Sequence, residues 1–61
     1  MTTWRIYHAE VYFGEPHYRI ELYNKFNNHV DTLEFGSMDR VQHEIGRLKK
    51  IEPEFTANWN H

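Results

Sequence analysis

Histidines and carboxylates are the side chains of this 61-residue chain that could bind a metal ion or transfer protons. The histidines are His8, His17, His29, His43 and His61. None stands at the His-x-x-x-His or His-Glu-x-x-His spacing that places two ligands on one face of a helix. A zinc site needs three or four converging ligands. We therefore predict neither a metal site nor a cofactor.

Covalent and acid–base catalysis have few candidate residues. Cysteine is absent, and Ser37, the only serine, precedes a predicted helix, where capping accounts for it. Glu10 and Glu21 are expected to approach each other across two strands. An open sheet face without a cleft does not raise a carboxyl pKa enough for acid–base work. The sequence predicts that the chain is not an enzyme.

A long β-hairpin is expected to position these side chains. Residues of about 3–13 alternate in polarity, Gly14-Glu15-Pro16 breaks the pattern, and alternation resumes over about 17–26. Ala9, Val11, Ile20 and Leu22 are expected on the inner face, together with Asn24 and Phe26. Asn27-Asn28-His29 predicts a turn, because Asn tolerates the left-handed conformation. A short third strand follows over about 30–35.

The period changes from 2 to about 3.6 after Gly36, which predicts a helix over about 38–51. Ser37 suits the N-cap, and Asp39 lies where the helix dipole favours an anion. One apolar stripe runs along this helix: Met38, Val41, Ile45, Leu48 and Ile51. Pro53 ends it. The tail, 54–61, contains Phe55 and Trp59, which either fold back over the seam between helix and sheet or dock a partner.

These elements predict an α+β fold of order β-β-β-α in one small domain, 1–61. A three-stranded antiparallel meander is covered on one face by one C-terminal helix, and the other face is left open. The open face is expected to carry these residues: Trp4, Ile6, His8, Glu10, Tyr12, His17, Arg19, Glu21, Tyr23, Lys25, Thr32 and Glu34.

Composition favours a protein partner for that face. The net charge is −2 and 16% of the residues are aromatic; phosphate binding usually needs a basic excess, whereas Trp and Tyr anchor protein interfaces. The candidate partner-binding residues are Trp4, His8, Glu10, Tyr12, Arg19, Glu21, Tyr23, Phe55 and Trp59. No apolar run is long enough to span a bilayer and the first residues lack signal-peptide order, so we expect a soluble cytoplasmic protein.

Three antiparallel strands followed by one helix, from about Trp4 to Ile51, resemble the arm-binding domains of phage integrases and the plant ethylene-response-factor DNA-binding domain. That resemblance implies a sheet face that enters the major groove. Those domains present several Arg, Lys and Trp residues on the sheet, whereas here Glu10, Glu21 and Glu34 offset Arg19, Lys25 and Trp4. The candidate nucleic-acid contacts, on the sheet or the basic helix end, are Arg19, Lys25, Arg40, Arg47, Lys49 and Lys50.

The sequence thus predicts a non-enzymatic binding protein that blocks a partner surface through its open sheet face. Compact, cysteine-free, near-neutral chains of this length are frequent among phage and mobile-element proteins that inhibit host complexes, anti-CRISPR proteins included. A small DNA-binding or regulatory domain is the first alternative. A structural homodimer, formed for instance by pairing two open faces, is the second.

Overall fold

The described part of the chain folds into a four-stranded sheet and one helix. A computed structural model of the chain describes residues 5–14 and 17–60. The elements follow in the order β1 (His8–Phe13), β2 (Tyr18–Tyr23), β3 (His29–Phe35), α1 (Met38–Ile51) and β4 (Thr56–Asn60). Within the described residues, no helix has the length and apolar character needed to cross a bilayer.

The α+β class is confirmed, but the predicted three-stranded meander is wrong. The strand order is β3-β2-β1-β4: β1, β2 and β3 pair antiparallel, and β4 lies parallel to β1, so the sheet is mixed. β4 is formed by residues of the predicted tail. Its side chains alternate between the two faces, and Phe55, directly before it, is buried in the core. Apolar burial at this position holds the segment against β1.

The helix is the connection that makes the parallel pairing possible. β3 ends at the edge of the sheet opposite β4, and parallel strands need a crossover of a dozen or more residues. α1 supplies it with 14 residues and covers one face of the sheet on the way. The buried apolar side chains are Ala9, Val11, Ile20, Leu22, Val41, Leu48 and Phe55.

Two residues at the ends of the predicted hairpin lie elsewhere than expected. Ile6 precedes β1 and packs against the core, although alternation placed it on the open face. Phe26 was expected on the inner face, yet it follows the end of β2 and is 65% exposed. The alternation of side chains between the inner and the open face therefore holds only for residues that lie within the strands.

Asn24 accounts for the early end of β2. Its side-chain Oδ1 accepts hydrogen bonds from the backbone N–H groups of Phe26 (2.9 Å) and Asn28 (3.0 Å). Asn27 adopts the left-handed conformation, with φ of 65°. Asn side chains stabilise turns in this way. The turn thus begins at Asn24, and Lys25 and Phe26 leave the sheet.

Ser37 and Glu52 cap the two ends of α1. Ser37 is the N-cap, as predicted: its backbone is extended and its Oγ accepts from the N–H of Arg40 at 3.4 Å. Glu52 is the C-cap, and its carboxylate is buried. One carboxylate oxygen accepts from Arg5 Nε at 2.8 Å, and the other accepts from the N–H of Glu54 at 3.2 Å. The Arg5–Glu52 pair therefore ties the chain before β1 to the loop that leads into β4.

Gly46 offers a direct test of how the helix is stabilised. It is exposed in the middle of α1, and a Cβ there would meet no atom within 4 Å. We expect Gly46→Ala to raise the free energy of unfolding by about 1 kcal/mol, because Ala orders in a helix at less entropic cost. Urea unfolding followed by circular dichroism measures this. A destabilised variant would mean that the helix packs more closely at Gly46 than the structure shows.

Candidate functional site on the open face

The sheet face that α1 does not cover, hereafter the open face, is built from three cross-strand rows. Strand register aligns Thr56, His8, Tyr23 and His29 in the first row. The second row contains Asn58, Glu10, Glu21 and Thr32. The third contains Asn60, Tyr12, Arg19 and Glu34. Each row runs from β4 through β1 and β2 to β3, since paired residues point to the same face.

Two carboxylates occupy the centre of this face. Glu10 on β1 and Glu21 on β2 are direct cross-strand partners. Like charges that face each other across a sheet are destabilising. Each glutamate therefore needs other neighbours that donate to it, and these come from β4 and β1 for Glu10 and from β3 and β2 for Glu21.

Glu10 is stabilised mainly by the last strand. Its Oε1 accepts hydrogen bonds from Asn58 Nδ2 (2.8 Å) and Asn60 Nδ2 (2.9 Å). Its Oε2 lies 2.5 Å from His8 Nε2, which donates to it, while His8 Nδ1 lies 3.0 Å from Thr56 Oγ1. The hydrogen bonds from Asn60, His8 and Asn58 lower the pKa of Glu10 to about 2. The carboxylate therefore stays ionised well into the acidic range.

Glu21 has the equivalent arrangement on the other side. Thr32 Oγ1 donates to its Oε1 at 2.6 Å, and His29 Nε2 lies 2.7 Å from the same oxygen. Arg19 Nε lies 3.1 Å from Oε2. The hydrogen bond from Thr32, aided by His29 and Arg19, holds the pKa of Glu21 below its usual value against the opposing effect of burial. Both carboxylates are therefore engaged within the chain.

Aromatic rings surround the two carboxylates. Tyr23 lies between two histidines, with its ring centroid 6.0 Å from that of His8 and 5.6 Å from that of His29. The guanidinium of Arg19 lies 4.8 Å from the centroid of the Tyr12 ring, within cation–π range. Loss of water around the Tyr23 hydroxyl is the main cause that raises the pKa of Tyr23, and the charges nearby have a smaller effect. The usual tyrosine pKa of about 10 already keeps this hydroxyl protonated at neutral pH, so its O–H is available as a donor there.

The structure brings together most of the predicted partner-binding residues. His8, Glu10, Tyr12, Arg19, Glu21 and Tyr23 share the open face. Phe55 is buried in the core, and Trp59 lies on the opposite face, where its register partner is the buried Val11. Trp4 lies outside the described residues.

The predicted nucleic-acid contacts are divided among three places. Arg19 is on the open face and Lys25 is in the β2–β3 turn, whereas Arg40, Arg47, Lys49 and Lys50 are exposed on α1. Arg47 is paired with Glu44, its Nη2 2.5 Å from the carboxylate. The basic residues therefore do not form one continuous surface with the sheet.

Sequence reasoning missed four contributors to the site: His29, Thr56, Asn58 and Asn60. The sequence pattern predicts a turn at His29, but His29 begins β3 after a shift of register opposite Leu22 and Tyr23. The other three lie on β4. The sequence signal that could have identified them is the alternation of Phe55, Ala57 and Trp59 with polar residues, which is typical of a strand.

Among residues 5–14 and 17–60, no three His, Asp or Glu side chains converge in a way that could hold a metal ion.

Comparison of the chain with protein-family models, curated proteins and solved structures found no match.

Replacing Glu10 tests the hydrogen-bond network. We expect Glu10→Gln to lower the free energy of unfolding at pH 7 by about 1–2 kcal/mol, since hydrogen bonds to a charged acceptor stabilise by about 1.5–3 kcal/mol each. Relief of the repulsion from Glu21 recovers less, about 0.2–1 kcal/mol. Unfolding by urea at pH 7 measures the difference.

The pH dependence provides a second readout. Because the pKa of Glu10 falls from 4.5 to about 2 on folding, its contribution is complete above pH 4.5 and is lost as the pH falls towards 2. Glu10→Gln should therefore lose less stability over this range than the parent chain. Glu34→Gln is the matched control, since Glu34 is on the same face and makes no hydrogen bond or ion pair with the described residues. Equal pH profiles for parent and Glu10→Gln would contradict the network.

Proposed function

We propose that this chain is a non-enzymatic binding protein that recognises another protein through the open face. The observation that carries the proposal is the row of rings formed by His8, Tyr23 and His29, which the two internally bonded glutamates hold in place. Side chains that are ordered before binding lose less entropy when the partner arrives. Tyr and Arg are also the residues that most often dominate binding energy at protein interfaces.

The charge of the open face supports a protein partner over nucleic acid. Among the residues that the structure describes, three glutamates lie there with one arginine, and that arginine is itself bonded to Glu21. Phosphate contacts need free cations. The rings and amide groups, by contrast, offer hydrogen-bonding edges and apolar faces of the kind found in the centre of protein interfaces.

The mode of action that we propose is occlusion. A rigid sheet face, supported from behind by α1, covers a surface that the partner needs for its own work. Inhibition of a host complex in the cytoplasm by a phage or mobile-element protein, of the anti-CRISPR kind, is the biological setting that fits this size class. The proposal requires no chemistry from the chain, only stable contact.

A tagged pull-down from bacterial lysate, with and without nuclease, tests the proposal. We expect a discrete protein that survives nuclease treatment. The double variant Tyr12→Ala with Tyr23→Ala should weaken its binding by about tenfold or more, because both rings would lie in the contact. Circular dichroism of the variant shows whether the fold persists.

The matched control is Arg40→Ala with Lys50→Ala, which changes only exposed side chains of α1. This control should bind normally. If it loses binding while the tyrosine variant keeps it, the open face is not the contact surface.

Nucleic-acid binding by α1 is a second candidate, because one stripe of the helix is basic. Arg40, His43, Arg47 and Lys50 follow each other at intervals of three and four residues and are all exposed, although Arg47 is paired with Glu44. Binding of this kind weakens steeply as salt rises. Recovery of nucleic acid in the pull-down, lost on adding salt and lost in the Arg40→Ala, Lys50→Ala variant, would favour this function.

A further inference from the structure

The two edge strands of the sheet differ in how they are protected against pairing with another chain. β3 carries Asp31, Glu34 and His29 along its length and contains an irregularity of register. β4, with the sequence Thr-Ala-Asn-Trp-Asn, has no charged side chain and no proline. Charges and bulges are the devices by which edge strands resist pairing. Of the two edges, β4 lacks them.

The backbone of β4 shows which groups are available. The N–H of Thr56 donates to the carbonyl of Tyr7 at 3.1 Å, so Thr56 directs its backbone groups towards β1. The side of the strand to which the backbone N–H and C=O groups point alternates from one residue to the next. Ala57 and Trp59 therefore direct their N–H and C=O groups towards the free edge, and within the described residues no strand pairs with them.

We propose that β4 pairs antiparallel with β4 of a second copy of this chain, about a two-fold axis at Asn58. This register places Ala57 opposite Trp59 of the second copy, and both residues have the outward-directed backbone groups that such a pair exchanges. In the neighbouring pair of residues, Asn58 then faces Asn58 of the second copy. No like charges meet, because the strand carries none.

Side-chain sizes on the helix side fit the same register. Trp59 is 37% exposed, and its neighbour two residues earlier is the small Ala57. A groove of about 330 Å³ opens beside them, lined by Ile45, Lys49, Phe55, Thr56, Ala57 and Trp59. The second copy's Trp59 would lie over Ala57 at this groove, and each indole would lose contact with water. Large and small residues thus alternate across the proposed seam.

A second copy suits the size of the domain. A chain of about 60 residues buries only about 60% of the surface that it exposes when unfolded. Continuous pairing through β4 extends the sheet and leaves both open faces exposed on the same side. The proposal therefore stands independently of the partner that the open face binds.

Single cysteines test the register, since the natural chain has none. In the proposed dimer the two copies of residue 58 face each other at about 4.5–5.5 Å between Cα atoms, a separation that a disulfide spans. Asn58→Cys should therefore give a covalent dimer under mild oxidation. Thr56→Cys should not, because residue 56 faces residue 60 of the second copy. Asp31→Cys, on the β3 edge, is a further control. Equal cross-linking by all three variants would overturn the proposal.

Mass in solution tests the association itself. Sedimentation equilibrium should give a concentration-dependent mass that rises to twice 7.5 kDa. Ala57→Pro removes an N–H group that points to the free edge, so it should leave a folded monomer. Asn58→Lys keeps a donor near Glu10 but places two cations opposite each other at the two-fold axis, so it should weaken the dimer. If Ala57→Pro does not fold, Asn58→Lys decides. A parent chain that stays monomeric at millimolar concentration would overturn the proposal, as would a dimer that Asn58→Lys leaves unchanged.

Discussion

The pairing of β4 with β1 is the interaction on which the rest of this structure depends. It makes β1 an interior strand, bonded to β2 on one side and to β4 on the other. It also requires the helix to cross the sheet, because β3 and β4 lie at opposite edges, and it places Phe55 in the core. Without it, the chain would be a three-stranded meander with Glu10 on an edge strand, and Glu10 would lose the hydrogen bonds from Asn58 and Asn60.

The open face follows from that pairing. Two glutamates lie side by side on the central strands, and each is bonded by donors from its own flank: Asn58 and Asn60 for Glu10, and Thr32 with His29 for Glu21. These donors compensate the negative charges of the two glutamates within the chain, and the rings beside them are held in position. Without the donors the two carboxylates would repel each other; with them this part of the face is ordered. This order is what supports the proposal that the face recognises a partner.

The sequence was informative wherever its signals were local. Alternation around Val11 and Ile20 predicted the hairpin, and Ser37 with the change of period predicted the start of the helix. The fourth strand carried no local signal of its partner. Thr56 pairs with His8, a residue 48 positions earlier, and parallel pairing leaves no hairpin turn to read. Glu10 and Glu21 could be placed on the open face, but the partners of Glu10 on β4 could not.

Amide hydrogen exchange along β4 tests the central pairing most directly. At a concentration low enough to keep the chain monomeric, we expect slow exchange for Thr56 and Asn58, whose N–H groups face β1, and fast exchange for Ala57 and Trp59. Uniformly fast exchange from 56 to 60 would mean that this segment does not pair with β1, and the fold described above would be wrong.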